Sequence, residues 1–203
     1  HYFYRSEIIE LIQQHLGPRR LNILEIGAGA GNLAYFLYLS GVVQSYWIVD
    51  LPEMLLNSGY TLSKFAPDEI FLFDEVEKLD IVDASTEFRF IVPQHSDRIP
   101  ESTFDLCINM NSFMEMDQQG RDDYLELVYK VSRPKALFYN VNRRQRNLPQ
   151  RDGTIFDNNP LLYPYRSSDR IVKWEEDAFQ TATKATLGGT PSIAVTRAAI
   201  INS

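Results

Sequence analysis

The sequence predicts an α/β domain: a mostly parallel sheet with helices on both faces and an antiparallel pair of strands near the carboxyl end. Three observations carry that prediction. The stretch Leu21 to Leu33, LNILEIGAGAGNL, is an apolar run that breaks into glycines at alternate positions, Gly27, Gly29 and Gly31. Strand-like and helix-like segments alternate from there to Val141, which implies right-handed crossovers and a ligand crevice beyond the carboxyl ends of the strands. After Pro160 the alternation stops and two short strand-like runs flank Gly188-Gly189. A chain of 203 residues fills one domain and is too short for two of ordinary size. Cofactor and substrate sites are therefore expected to share one core, spanning 1–203.

The elements follow in order. Ser6 is placed to cap a helix that presents Ile8, Ile9, Leu11, Ile12 and Leu16 on one face and stops at Gly17-Pro18. This helix makes up the first part of the chain, 1–20. Ile23, Leu24 and Ile26 belong to the first strand, and Asn32 begins the next helix, with Leu33, Phe36, Leu37 and Leu39 at helical spacing before Gly41. Tyr46 to Val49 reads as the second strand, closed by Asp50. Leu51 to Phe65 reads as a helix with Pro52 at its first position. The acidic segment Pro67 to Glu87 fits no clean period and is taken as a partly helical connection. Phe88 to Val92 and Phe104 to Met110 are the third and fourth strands, the latter apolar enough to be buried on both faces. Arg121 to Val131 is a helix and Ala136 to Val141 the fifth strand, closing a cofactor-binding core over 21–141. The remainder, 142–203, supplies a substrate-side loop and a terminal hairpin made of Phe179 to Thr186 and Ile193 to Ile201.

Composition narrows the function. No apolar run approaches the roughly 20 residues of a membrane helix, so no membrane association is expected. A net charge of −7 argues against non-specific nucleic-acid binding, which normally shows a basic balance. The single cysteine, Cys107, lies in an apolar strand and excludes an internal disulfide, which fits a reducing, cytoplasmic setting.

Glycine alone allows a turn of positive φ with bare backbone facing a ligand, and the helix after it points free N–H groups and its positive end into the same space. A dinucleotide fingerprint, G-x-G-x-x-G, would place its last glycine where Asn32 stands. An acidic residue two before G-x-G-x-G, here Glu25, resembles instead the pattern of S-adenosylmethionine (SAM) methyltransferases. That resemblance implies a Rossmann-like class I fold, a seven-stranded sheet with a C-terminal antiparallel hairpin, and SAM as cofactor. Gly27, Ala28, Gly29 and Gly31 would then border the cofactor, and Glu25 would help fix its methionine amino group. Asp50, closing the second strand, can accept hydrogen bonds from both ribose hydroxyls, although the same residue could cap the following helix. Gln94, or a neighbour in the segment leaving the third strand, falls beside the adenine, and Leu51 and Asn109, at the ends of the second and fourth strands, complete the expected cofactor-binding set.

The run SYWIVDLPE from Ser45, the block INMNSFMEMD from Ile108 to Asp117 and FYNVNRR from Phe138 to Arg144 resemble the bacterial sugar O-methyltransferases. This likeness covers most of the chain from about Leu21 onward. It implies methyl transfer to a hydroxyl of a sugar or sugar-containing small molecule. Such a reaction needs a base for a weakly acidic hydroxyl. His95, after the third strand, is the leading candidate, and Glu115, after the fourth, the second. Each has a plain structural alternative, a surface histidine and a carboxylate at a helix start. Asn111 and Ser112 could contact the acceptor or cap the next helix. Arg143 and Arg144, with Arg146 and Arg151 nearby, could hold the phosphates of a nucleotide-linked sugar or form a solvated basic loop. Phe156, Tyr163, Tyr165 and Trp174 could wall the acceptor site or cover the sheet edge. No metal set is expected, since His95-Ser96-Asp97 lacks a further ligand. Tyr60 and Lys64 form a Y-x-x-x-K too early in the chain for a dehydrogenase site. The alternatives to a sugar methyltransferase are a non-catalytic SAM-binding protein and a nicotinamide-dependent sugar oxidoreductase.

Overall fold

A computed structural model describes residues 2–66, 70–71, 87–144, 147–149, 153–186 and 193–202. In chain order the elements are α1 (Tyr2–His15), β1 (Leu21–Ile26), α2 (Asn32–Leu39), β2 (Val43–Val49), α3 (Pro52–Ser63), β3 (Ile70–Phe71), β4 (Glu87–Ile91), β5 (Phe104–Met110), α4 (Gln118–Val131), β6 (Ser132–Arg143), β7 (Asn147–Pro149), β8 (Ile155–Asp157), β9 (Arg170–Glu176), α5 (Ala178–Thr186) and β10 (Ala194–Ile200). Short 3-10 turns occupy Pro93–Arg98, Phe113–Glu115 and Pro160–Leu162.

The main sheet has the order β3-β4-β2-β1-β5-β6-β10-β9, and β7 pairs with β8 apart from it. Seven strands of ordinary length make up the sheet, and β3 adds two residues at one edge. Only β10 runs against the others, pairing antiparallel with both β6 and β9. From β1 the chain goes first to β2 on one side and later to β5 on the other. That reversal opens a crevice at the carboxyl ends of β1 and β5.

β1 and β5 are mostly apolar because both faces of these strands are covered, β5 being buried at every position. On one face Ile23, Tyr46, Ile108 and Tyr139 pack under α1, α2 and α3. On the other, Leu24, Trp47, Cys107 and Phe138 pack under α4 and the segment around Tyr163. Cys107 is fully buried, and burial pushes its thiol up to about 12, so it is a packing residue.

Three expectations need correction. Ser6 does not cap α1, which already begins at Tyr2; its hydroxyl donates back to the Tyr2 carbonyl inside the helix. Neither Asn111 nor Ser112 caps α4, which starts at Gln118 with Asp117 accepting the Gly120 N–H at 2.8 Å. Phe179 to Thr186 is helix, not strand: Asp177 accepts the Gln180 N–H at 2.8 Å and starts α5. The antiparallel pair is therefore β9 and β10, with Trp174 opposite Arg197, and α5 lies between them in the chain. Gly188-Gly189 and most of Pro67 to Glu87 lie outside the described residues, as do Arg146 and Arg151. Among the described residues no helix is long and apolar enough to cross a membrane.

Candidate active-site crevice

The turn after β1 is built by three glycines with positive φ: Gly27 at 76°, Gly29 at 58° and Gly31 at 73°. Each faces something different. A Cβ on Gly27 would lie 2.2 Å from the Ser112 side chain, so the turn presses directly on the residue that follows β5. A Cβ on Gly31 would lie 3.1 Å from Ser58 Cβ in α3. One on Gly29 meets nothing within 4 Å, so the backbone there faces open space. α2 starts at Asn32 without a side-chain cap, and its positive dipole end is offered to the same space.

Asp50 closes β2 and holds this turn in place. Its Oδ2 accepts the Gly29 N–H at 2.9 Å and its Oδ1 the Leu51 N–H at 2.8 Å. The capping position of α3 belongs to Leu51, without a side-chain bond, so the carboxylate serves the glycine turn rather than the helix. Partial burial pushes the Asp50 carboxyl above its ordinary range, opposed by the backbone N–H groups. Leu51 beside it is 58% exposed, an apolar side chain left at the crevice rim. Glu25 is buried, and Tyr46 donates its hydroxyl to Oε2 at 2.7 Å. Burial raises the Glu25 carboxyl to about 7, partly offset by that hydrogen bond.

The carboxyl end of β5 is tied to the root of the turn. Asn109, fully buried, donates its amide to the Ile26 carbonyl at 2.9 Å and to Ser112 Oγ; Ser112 donates to the same carbonyl at 3.0 Å. The Asn109 carbonyl accepts from Asn142 Nδ2 at 2.8 Å. Asn142 also donates to Asn140 at 2.5 Å and accepts the Met114 N–H at 3.0 Å, and Asn140 donates to the Tyr165 hydroxyl at 2.6 Å. The amide of Asn109 and the hydroxyl of Ser112 are thus engaged inside the protein. Both side chains brace the root of the turn. Asn140, Asn142 and Tyr165 were missed as a network. The available signal was the N-x-N alternation of FYNVN, which puts two amides on one face of an otherwise apolar strand.

Two buried polar atoms at the crevice have no partner among the described residues. Asn111 has a positive φ of 62°, its N–H bonds the Val141 carbonyl at 2.7 Å, and its buried Oδ1 has no partner. Arg143, at the carboxyl end of β6, has a buried Nε without a partner. Arg144 is exposed and reaches Glu176 at 3.6 Å, a surface ion pair of small energetic worth.

Gln94 and His95 lie in the 3-10 turn after β4, Gln94 exposed and His95 half-buried. β2 and β1 stand between β4 and β5, so the ends of β4 and β5 are about 14 Å apart at ~4.8 Å per strand. Glu115 ends the 3-10 turn that follows β5 and is exposed. It precedes α4 rather than lying in its first turn. The aromatic residues considered as a substrate wall pack instead on buried arginines. Arg121 lies 4.8 Å from the ring centres of both Phe156 and Tyr163, and Arg197 lies 3.8 Å from that of Tyr165 and 5.7 Å from that of Trp174. Tyr60 and Lys64 pair with each other on the exposed side of α3, Nζ 4.0 Å over the ring. Among the described residues no three His, Cys, Asp or Glu side chains group as a metal site.

No family model and no curated protein matches this chain. Solved structures do. A SAM-dependent methyltransferase from Methanosarcina mazei is 16% identical, with TM-score 0.59, over 95% of this chain and 97% of that one. The N-methyltransferase NodS from Bradyrhizobium japonicum, in complex with S-adenosylhomocysteine, is 12% identical with TM-score 0.62, over 99% and 88%. The [4+2]-cyclase SpnF is 13% identical with TM-score 0.65, over 97% and 81%. The chain has the Rossmann-like fold of these proteins, with its mostly parallel sheet and antiparallel strand near the carboxyl end.

Proposed function

We propose that the protein is a SAM-dependent methyltransferase acting on a hydroxyl of a sugar or sugar-containing small molecule, a nucleotide-linked sugar among the candidates. The observation that carries the cofactor assignment is Asp50, whose carboxylate is fixed against Gly29 at the mouth of an open, glycine-lined turn. A carboxylate bound to two N–H groups retains lone pairs for two vicinal hydroxyls. Glu25 is placed for the methionine ammonium, having one oxygen on Tyr46. Leu51 offers an apolar surface to the adenine, with Gln94 at the same side of the crevice. Gly27, Ala28, Gly29 and Gly31 border the cofactor with the uncapped start of α2.

When bound, SAM supplies a methyl group on a cationic sulfur, electrophilic enough for direct displacement by an oxygen. The chain must orient that oxygen and take its proton. Glu115, just past β5, is the stronger candidate for the base. His95 stands at the adenine side, three strands away, which favours a role beside the cofactor over proton removal. Asn111 Oδ1 and Arg143 Nε, an unpaired acceptor and an unpaired donor, suit a ligand rich in hydroxyls or carrying phosphate. The sugar assignment itself rests on the resemblance of INMNSFMEM and FYNVNRR.

Isothermal titration with S-adenosylhomocysteine, beside NAD⁺ and NADP⁺, tests the cofactor. Binding of the first alone is expected; binding of a dinucleotide instead would overturn the reading. Mass-spectrometric screening of nucleotide sugars with SAM tests the acceptor. Cofactor binding with no methyl transfer to any acceptor would favour a non-catalytic SAM-binding protein.

A further inference from the structure

The opposite pole of the sheet carries a second polar feature. A cavity of about 310 Å³ opens at the amino end of β5, lined by His15, Arg19, Asp105, Arg133 and Lys135 among others. Asp105 is buried, and its carboxylate is already saturated: Arg19 donates at 2.9 Å, Arg133 at 3.0 and 3.1 Å, and the Asn22 N–H at 3.0 Å. One guanidinium would neutralise that carboxylate. The second arginine and Lys135 are surplus positive charge, on a chain whose net charge is −7. Lys135 is exposed, has no ion-pair partner among the described residues, and sits at a φ of 67°. A glycine would take that conformation at lower cost. Cations gathered around one cleft raise the local concentration of anions.

We propose that this cavity binds the phosphate group of a small soluble molecule, with Arg133 and Lys135 as its principal ligands and Arg19 in support. Asp105 orients the two guanidinium groups. From Asp105 to Met110 the strand spans about 17 Å at ~3.3 Å per residue, so the site is separate from the glycine-turn crevice. The inference is independent of the methyl-transfer reading.

The test is titration of the whole chain with inorganic phosphate, followed by calorimetry and thermal melting, against sodium chloride at matched ionic strength and without cofactor. Saturable binding with a raised melting temperature is expected. Arg133→Gln together with Lys135→Gln should weaken it at least tenfold. Lys135→Gln alone breaks no ion pair among the described residues, and in a protein with an unchanged melting temperature it should weaken binding several-fold. A sugar phosphate and vesicles containing phosphatidic acid, run in parallel, distinguish a free phosphate ester from a lipid headgroup; preference for the vesicles would overturn the soluble-ligand assignment. A response that follows ionic strength alone, or binding unchanged in both variants, would overturn the site.

Discussion

Replacing Asp50 with alanine removes the contact proposed to hold the cofactor ribose. A hydrogen bond to a charged group contributes about 1.5–3 kcal/mol, which corresponds to a loss of roughly 10- to 150-fold in affinity for S-adenosylhomocysteine. The same change also releases the Gly29 and Leu51 N–H groups, so some loss could arise from a loosened turn rather than from the ribose. A cycle separates the two effects. An analogue lacking both ribose hydroxyls should bind wild type more weakly than S-adenosylhomocysteine does, and should lose less than S-adenosylhomocysteine on Asp50→Ala, because the contacts it lacks are among those deleted and only the loosened turn remains to be felt. Isothermal titration of both ligands against both proteins, with melting curves to show that the variant is folded, gives all four values. Affinity of Asp50→Ala within about twofold of wild type would refute the ribose assignment. Fully additive losses would refute the direct contact while leaving the carboxylate its role in the turn.

Gly29→Val should fold, since its Cβ meets nothing within 4 Å, but a β-branched residue at a φ of 58° is strained and fills the approach to the turn; loss of S-adenosylhomocysteine binding in a protein with a native circular dichroism spectrum is expected, and retained binding would be inconsistent with close approach. Glu25→Gln should become progressively more stable than wild type as pH rises from about 4.5 to about 7, the range between the ordinary carboxyl value and that of the folded protein. Burial favours the neutral acid, so the native state holds a proton that the unfolded chain releases, and the gap grows by at most about 1.4 kcal/mol per pH unit. Urea melts of both proteins at pH 5, 6, 7 and 8 measure it, and a pH-independent gap would contradict the assigned cause. Asn142→Ala leaves the Met114 N–H and one side of Asn109 without their buried partners; a destabilisation of about 2–4 kcal/mol in the same melts is expected, and a change below about 0.5 kcal/mol would show that the network is not coupled to folding.

The parts of the fold legible in the sequence are those fixed by short-range pattern. β1 and β5 could be read because strands covered on both faces are mostly apolar, with Asn22 and Glu25 in one and Asp105 and Asn109 in the other as the exceptions, and the glycine turn because positive φ at Gly27, Gly29 and Gly31 favours that residue. Asp50 was legible by its position, and the structure adds what position could not, that its carboxylate ties the turn and not the helix. The missed elements have different causes. The α5 segment AFQTATKAT contains three threonines, whose branching reads as strand, and its start is set by Asp177, a residue outside the periodic run. The network of Asn109, Asn140 and Asn142 joins two strands far apart in sequence, and no local window contains it. The aromatic residues after Phe156 were visible, but their partners Arg121 and Arg197 come from α4 and β10, so only the tertiary fold shows what the rings cover.

That network bears on how the two halves of the crevice are related. The Ile26 carbonyl, at the root of the glycine turn, accepts from both Asn109 and Ser112, and Ser112 fills the space a Cβ on Gly27 would need. Asn109 is in turn held by Asn142 on β6, two positions from Asn140 and its bond to Tyr165. The glycine turn after β1 and the carboxyl ends of β5 and β6 are thereby joined by buried hydrogen bonds, which are costly to break individually. In-line displacement tolerates little error in the distance between its reacting atoms. A rigid link between the element that would hold the methyl donor and those that would hold the acceptor meets that requirement. It also accounts for amides where a strand interior would otherwise be apolar. Asn111 and Arg143, next to this network and each with a buried atom that has no partner among the described residues, would then be the groups offered to the proposed substrate.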